Sequence, residues 1–213
     1  SARILAERGP IGPYASADDA VRYFTASVQL AAVQAGLGQP EAAGRTLDAL
    51  DAWREQLGRL PLVEQLTPVS IVWALATRAR ASQDVAAANA YADASLLRLY
   101  AAGLDFDAAG AYLAVSVHLV AADARWAAGD VEASLAQHRL ALARHRAAID
   151  GVDGARPALA QVAAAPLPDL FEPFARRLEA AGDQAGAIAV RREWVVLAER
   201  FSEPDPAGVE AAR

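Results

Sequence analysis

The chain has 213 residues, is 54% hydrophobic and 22% charged, and carries a net charge of −6. That length holds one sizeable domain or a short array, and the composition is that of a folded globular chain. Cysteine and lysine are both absent. This excludes disulfides, thiolate nucleophiles, cysteine zinc sites, and Walker-type or Schiff-base lysines.

The first segment, "SARILAERGP", lacks the basic start and long apolar core of a signal peptide. Residues 1–9 read as the end of an upstream helix, and with no methionine anywhere the chain reads as an excised piece. "YASADDAVRYF" places Ser16 and Asp19 at capping-box spacing, so a helix starts near Asp18 and runs to about Ala35. A second helix spans about Pro40 to Leu57. Thr67-Pro68 pairs an N-cap with a proline at the first helical position, opening the third. The fourth runs from about Asp84 to Ala102 and stops at Gly103. The fifth begins near Asp105, and the sixth covers about Asp130 to Ile149. "DGVDGARP", Asp150 to Pro157, reads as a linker. Helices from about Pro168, and from about Gln184 to Phe201, complete the series. No alternating β-branched run suggests a strand, and no run of about twenty apolar residues suggests a membrane span.

Four short stretches resemble one another: Ala35 to Leu50, Arg80 to Leu96, Trp126 to Leu142 and Ala180 to Leu197. Aligned on Gly38, Ser82, Gly129 and Gly182, they carry a small residue five positions later: Ala43, Ala87, Ser134 and Ala187. A glycine or serine ends one helix. Asp84, Asp130 or Asp183 caps the next. The small residue one turn in lets two antiparallel helices approach closely. This pattern resembles the tetratricopeptide repeat family in its turn and second helix. The last unit resembles it in the first helix too, through Phe171, Phe174, Ala175 and Leu178. The spacings are 44, 47 and 53 residues, against about 34 for that family. The resemblance implies an all-α chain over 1–213, with four antiparallel helical hairpins at about 16–60, 67–103, 105–150 and 167–202. These would stack as a right-handed solenoid with the first helices lining its concave side.

His138 and His145 lie seven apart on one helix, beside Arg139, Arg144 and Arg146. They read as packing or solvated residues, since no third ligand stands at metal spacing. His118, inside "YLAVSVHLV", reads as a packing residue. Asp18-Asp19, and Asp105 with Asp107, sit where helix N-termini favour negative charge. No Ser-His-Asp order, phosphate loop or HExxH run stands out. No catalytic residue, metal or cofactor is assigned.

Arg78, Arg80, Arg125, Arg176 and Arg177 fall on first helices, together with Tyr112 and Trp126. An arginine–aromatic groove suits an acidic or C-terminal peptide; alternatively these arginines pair with Asp or Glu between neighbouring units. Arg80, Tyr112, Trp126 and Arg176 are the candidate partner-binding residues. The expectation is a cytoplasmic protein–protein interaction scaffold that binds another protein or peptide, with a homodimer left open. The acidic balance argues against nucleic acid, which is met by a basic face, and no membrane is implied. The alternative is a peptide- or small-ligand-sensing domain of a larger bacterial regulator; arginine without lysine in an alanine-rich chain suggests a GC-rich bacterial source.

Overall fold

A computed structural model describes residues 17–57, 68–104, 111–152 and 167–201. Among the described residues there are eight helices and no strand. They are α1 (Ala17–Gly36), α2 (Pro40–Leu57), α3 (Pro68–Ala81), α4 (Val85–Ala101), α5 (Ala111–Ala127), α6 (Val131–Val152), α7 (Leu167–Ala180) and α8 (Gln184–Phe201). No helix among the described residues is long and apolar enough to cross a membrane. The caps expected at Ser16 and Thr67, the segment holding Asp105 and Asp107, and residues 1–9 lie outside the described residues. Helix α6 continues to Val152, into the linker expected from Asp150, and the rest of that stretch lies outside the described residues.

Three-residue turns join α1 to α2, α3 to α4, α5 to α6, and α7 to α8. In the α5–α6 turn, Gly129 takes φ +79°, a backbone conformation that costs a side-chain-bearing residue about 1–2 kcal/mol. The Gly129 amide then reaches the carbonyl of Trp126, and the Asp130 amide that of Arg125. These two bonds satisfy the carbonyls that the end of α5 leaves open. Asp130 at once caps α6, accepting from the Ala133 amide at 3.0 Å. Gly182 and Asp183 repeat the device, and Gly38 repeats its glycine half.

The α3–α4 turn differs, and it corrects the alignment. Its middle residue is Gln83, not Ser82, and no residue there has positive φ. Ser82 instead donates its hydroxyl to the carbonyl of Asp84 at 3.1 Å, and Asp84 caps the Ala87 amide at 2.8 Å. Counting four residues on from Gln39, Asp84, Asp130 and Asp183 gives Ala43, Ala88, Ser134 and Ala187. All four are buried, whereas Ala87 is only half-buried. The small residue at the second crossing is therefore Ala88. Overpacking a crossing costs about 1–3 kcal/mol. Ala88→Leu is expected to lower stability by that amount in urea unfolding, and Ala87→Leu by less than about 0.5 kcal/mol. Equal losses would return the register to Ser82.

The core forms from separate clusters that share helices rather than from one centre. Phe24, Val28, Leu50 and Trp53 join α1 and α2, with Trp73 of α3 packed against them. A second cluster joins α3, α4 and α5 through Val72, Ala92, Leu99, Val117 and Ala121. A third joins α5 to α6, α7 and α8 through Leu119, Leu142, Phe171, Phe174 and Val190. Helix α5 belongs to both of the latter clusters, which explains its nearly unbroken apolar run: a helix covered on several sides needs no polar face. The four apolar positions expected of the last unit, Phe171, Phe174, Ala175 and Leu178, are all buried.

Candidate functional site

Each later pair reaches back to the pair before it with an arginine near the end of its first helix. Arg78 on α3 donates to Asp48 at 2.9 Å and Asp51 at 2.6 Å, both on α2. Burial opposes its charge, but the two carboxylates outweigh that and hold its pKa above the ordinary value. Arg125 on α5 donates to Asn89 at 2.6 Å and also pairs with Asp93, both on α4. Arg177 on α7 pairs with Asp123 on α5 at 2.6 Å and lies over the Trp126 ring, 5.3 Å from its centroid. These contacts are the inter-unit ion pairs that composition left as an alternative to a binding groove. Their carboxylates are partly solvated, so each adds only about 0.2–1 kcal/mol.

The third of these contacts is chemically the richest. At the position where α2 and α4 present Asp48 and Asp93, α6 carries Arg139. Arg177 therefore finds its carboxylate on α5 and turns its other nitrogen to α6. There its Nη1 donates to His138 Nε2 at 2.6 Å and approaches Ser134 Oγ at 3.4 Å. His138 is fully buried, stacked on Phe174 at 5.0 Å and 12°. Burial first, and the Arg177 charge second, push its pKa down to about 3. An imidazole that accepts at Nε2 carries its proton on Nδ1, and Nδ1 meets no hydrogen-bond partner among the described residues.

Ser134, His138 and Asp123 are the residue types of a hydrolytic relay, but their wiring differs from one. Ser134 donates to the carbonyl of Ala122 at 2.8 Å. The accepting nitrogen of His138 is occupied by Arg177, and Asp123 also binds Arg177. A relay needs the serine on one imidazole nitrogen and the carboxylate on the other. This cluster thus holds α5, α6 and α7 together around a neutral imidazole. The other two histidines are buried as well. His118 donates from Nδ1 to Gln137 at 2.8 Å, and His145 meets Phe171 edge-on. Among the described residues, no three His, Asp or Glu side chains converge as metal ligands would.

The structure does not bring the four candidate binding residues to one point. Arg80 is exposed at the end of α3, two residues and so roughly 200° around the helix from Arg78. Arg176 is exposed beside Arg177 and makes a one-turn pair with Glu172 at 2.9 Å. Trp126 is half-buried beneath Arg177. Tyr112 stands at the other end of α5, roughly 21 Å from Trp126 along the axis, stacked on Trp73 at 6.4 Å. Two depressions among the described residues lie elsewhere. One, of about 520 Å³, is lined by Gly38, Pro40, Arg45 and Gln83; the other, of about 330 Å³, lies between α1 and α2 beside Tyr23, Gln34 and Thr46. Sequence reasoning passed over Asp48 and Asp93, which stand at one common offset once the second turn is centred on Gln83.

Comparison with protein-family models, curated proteins and solved structures finds no match to the chain.

Proposed function

We propose that this chain is a protein-binding module, its four helix pairs stacked as a right-handed solenoid of tetratricopeptide type that binds an acidic peptide segment across its first helices. The observation that carries this reading is the division of labour among neighbouring arginines. Arg78 and Arg177 are spent on the previous pair, while Arg80 and Arg176 stay in solvent on the same helices. Exposed arginines suit carboxylate-bearing partners, because a guanidinium binds a carboxylate with two parallel hydrogen bonds. Trp126 and Tyr112, at opposite ends of α5, keep part of their rings open.

The test is an array of peptides ending in Asp or Glu, followed by anisotropy titration of the tightest sequence. Arg80→Glu with Arg176→Glu is expected to weaken binding at least about tenfold with an unchanged melting temperature. Failure to bind any acidic peptide, or binding indifferent to both changes, overturns the reading.

A further inference from the structure

Helices α2, α4 and α6 each meet the first helix of the following pair. The positions used recur. Counted from the residue just before each helix, positions nine and twelve of α2 are Asp48 and Asp51, which hold Arg78. Positions five and nine of α4 are Asn89 and Asp93, which hold Arg125. Positions five and twelve of α6 are Leu135 and Leu142, which pack in one core with Phe171 and Phe174. On α8 the three positions are Ile188, Arg192 and Val195, and all are exposed.

Val196 and Glu199 extend this exposed stripe. Ion pairs border it on both sides: Arg191 with Glu172 and Glu179 of α7, and Glu193 with Arg146 of α6. The opposite side of α8 is already buried through Ala187, Val190 and Leu197. An apolar centre with a charged rim is the anatomy of an interface, and a helix apolar on two sides has a second surface to cover.

We propose that this stripe is the interface of a symmetric dimer, with α8 lying antiparallel against α8 of a second copy. Charge selects that occupant. Where α2 and α4 offer a carboxylate to an incoming arginine, α8 offers Arg192, which has no ion-pair partner among the described residues and is complemented by an occupant that brings a carboxylate. A second copy brings its own. In a two-fold contact, if one residue meets a second, the second meets the first in return. With the axis between Val195 and Val196, Val195 meets the partner's Val196, and Arg192 meets the partner's Glu199, each twice. Neither Arg192 nor Glu199 has an ion-pair partner among the described residues. The overlap runs from 190 to 201, about twelve residues and roughly 18 Å of helix, and leaves Ile188 beyond its edge. This is a small interface of the transient class.

Sedimentation equilibrium of the full chain from about 5 to about 200 µM covers that class of affinity. A monomer–dimer equilibrium is expected. Arg192→Glu or Glu199→Arg alone is expected to weaken it about tenfold or more, since each turns two attractions into two repulsions. The double reversal restores it. Val195→Asp abolishes it while the circular dichroism melt stays unchanged, because Val195 touches no core. A wild-type chain that stays monomeric, or a double reversal that fails to restore the dimer, overturns the proposal and assigns the stripe to a different occupant.

Discussion

Between pH 6.5 and pH 4.5 the protein is expected to lose about 2 kcal/mol of stability that the His138→Gln variant keeps. Folded His138 has a pKa of about 3, against 6.5 in an open chain. Well above pH 6.5 both states are neutral and the group is silent. Below 6.5 the unfolded chain takes up a proton that the folded protein refuses, so stability falls with pH until about pH 3, where the folded imidazole also titrates. Two causes keep the proton out. Burial denies the cation its water, and the Arg177 guanidinium stands 2.6 Å from Nε2. Glutamine offers Arg177 an oxygen to donate to and has no proton to gain. The window is clean because carboxylates begin to titrate lower. Glu172 and Glu179, held below their ordinary 4.5 by hydrogen bonds from Arg191, give up their stabilisation as pH falls from about that ordinary value through the lowered ones. The measurement is urea unfolding at half-unit steps of pH. Parallel curves for wild type and His138→Gln would place the imidazole in contact with solvent.

The turns were legible in the sequence because turn chemistry is local. Gly38, Gly129 and Gly182 take the left-handed conformation that glycine tolerates. Asp84, Asp130 and Asp183 cap the helices they precede. The second turn was misread by one residue for a local reason too: it contains no glycine, and Ser82 looks more like a turn residue than Gln83. That slip hid Ala88 behind Ala87, and it hid the shared offset of Asp48 and Asp93. What contacts Arg177 was not legible, because the contact depends on which helix lies beside α7. A histidine on the inner side of α6 carries no sign that its partner stands 39 residues away. The same limit holds for Trp126. Three residues before its turn, it suits either an open groove or a place under the next unit, and only the packing of α7 puts a guanidinium over it.

Phe174→Ala is expected to remove about 3–5 kcal/mol at pH 7, the ordinary loss for deleting a buried phenyl ring. Phe174 is 3% exposed, stacks on His138, and belongs to the cluster joining α5, α6, α7 and α8. That cluster is separate from the one joining α3 and α4 to α5, so the loss should be uneven. Hydrogen exchange is expected to show lowered protection in α6, α7 and α8 while α3 and α4 keep theirs, as in arrays whose units are stabilised by nearest neighbours. A uniform loss across all amides would make the two clusters one cooperative unit. The same variant also tests the first prediction. Without the ring, water reaches His138, the desolvation that lowers its pKa weakens, and the folded imidazole accepts its proton at higher pH. The fall in stability between pH 6.5 and 4.5 should therefore become shallower in Phe174→Ala than in wild type, even though the variant is less stable throughout. A slope that stays unchanged would assign the lowered pKa of His138 to Arg177 rather than to burial.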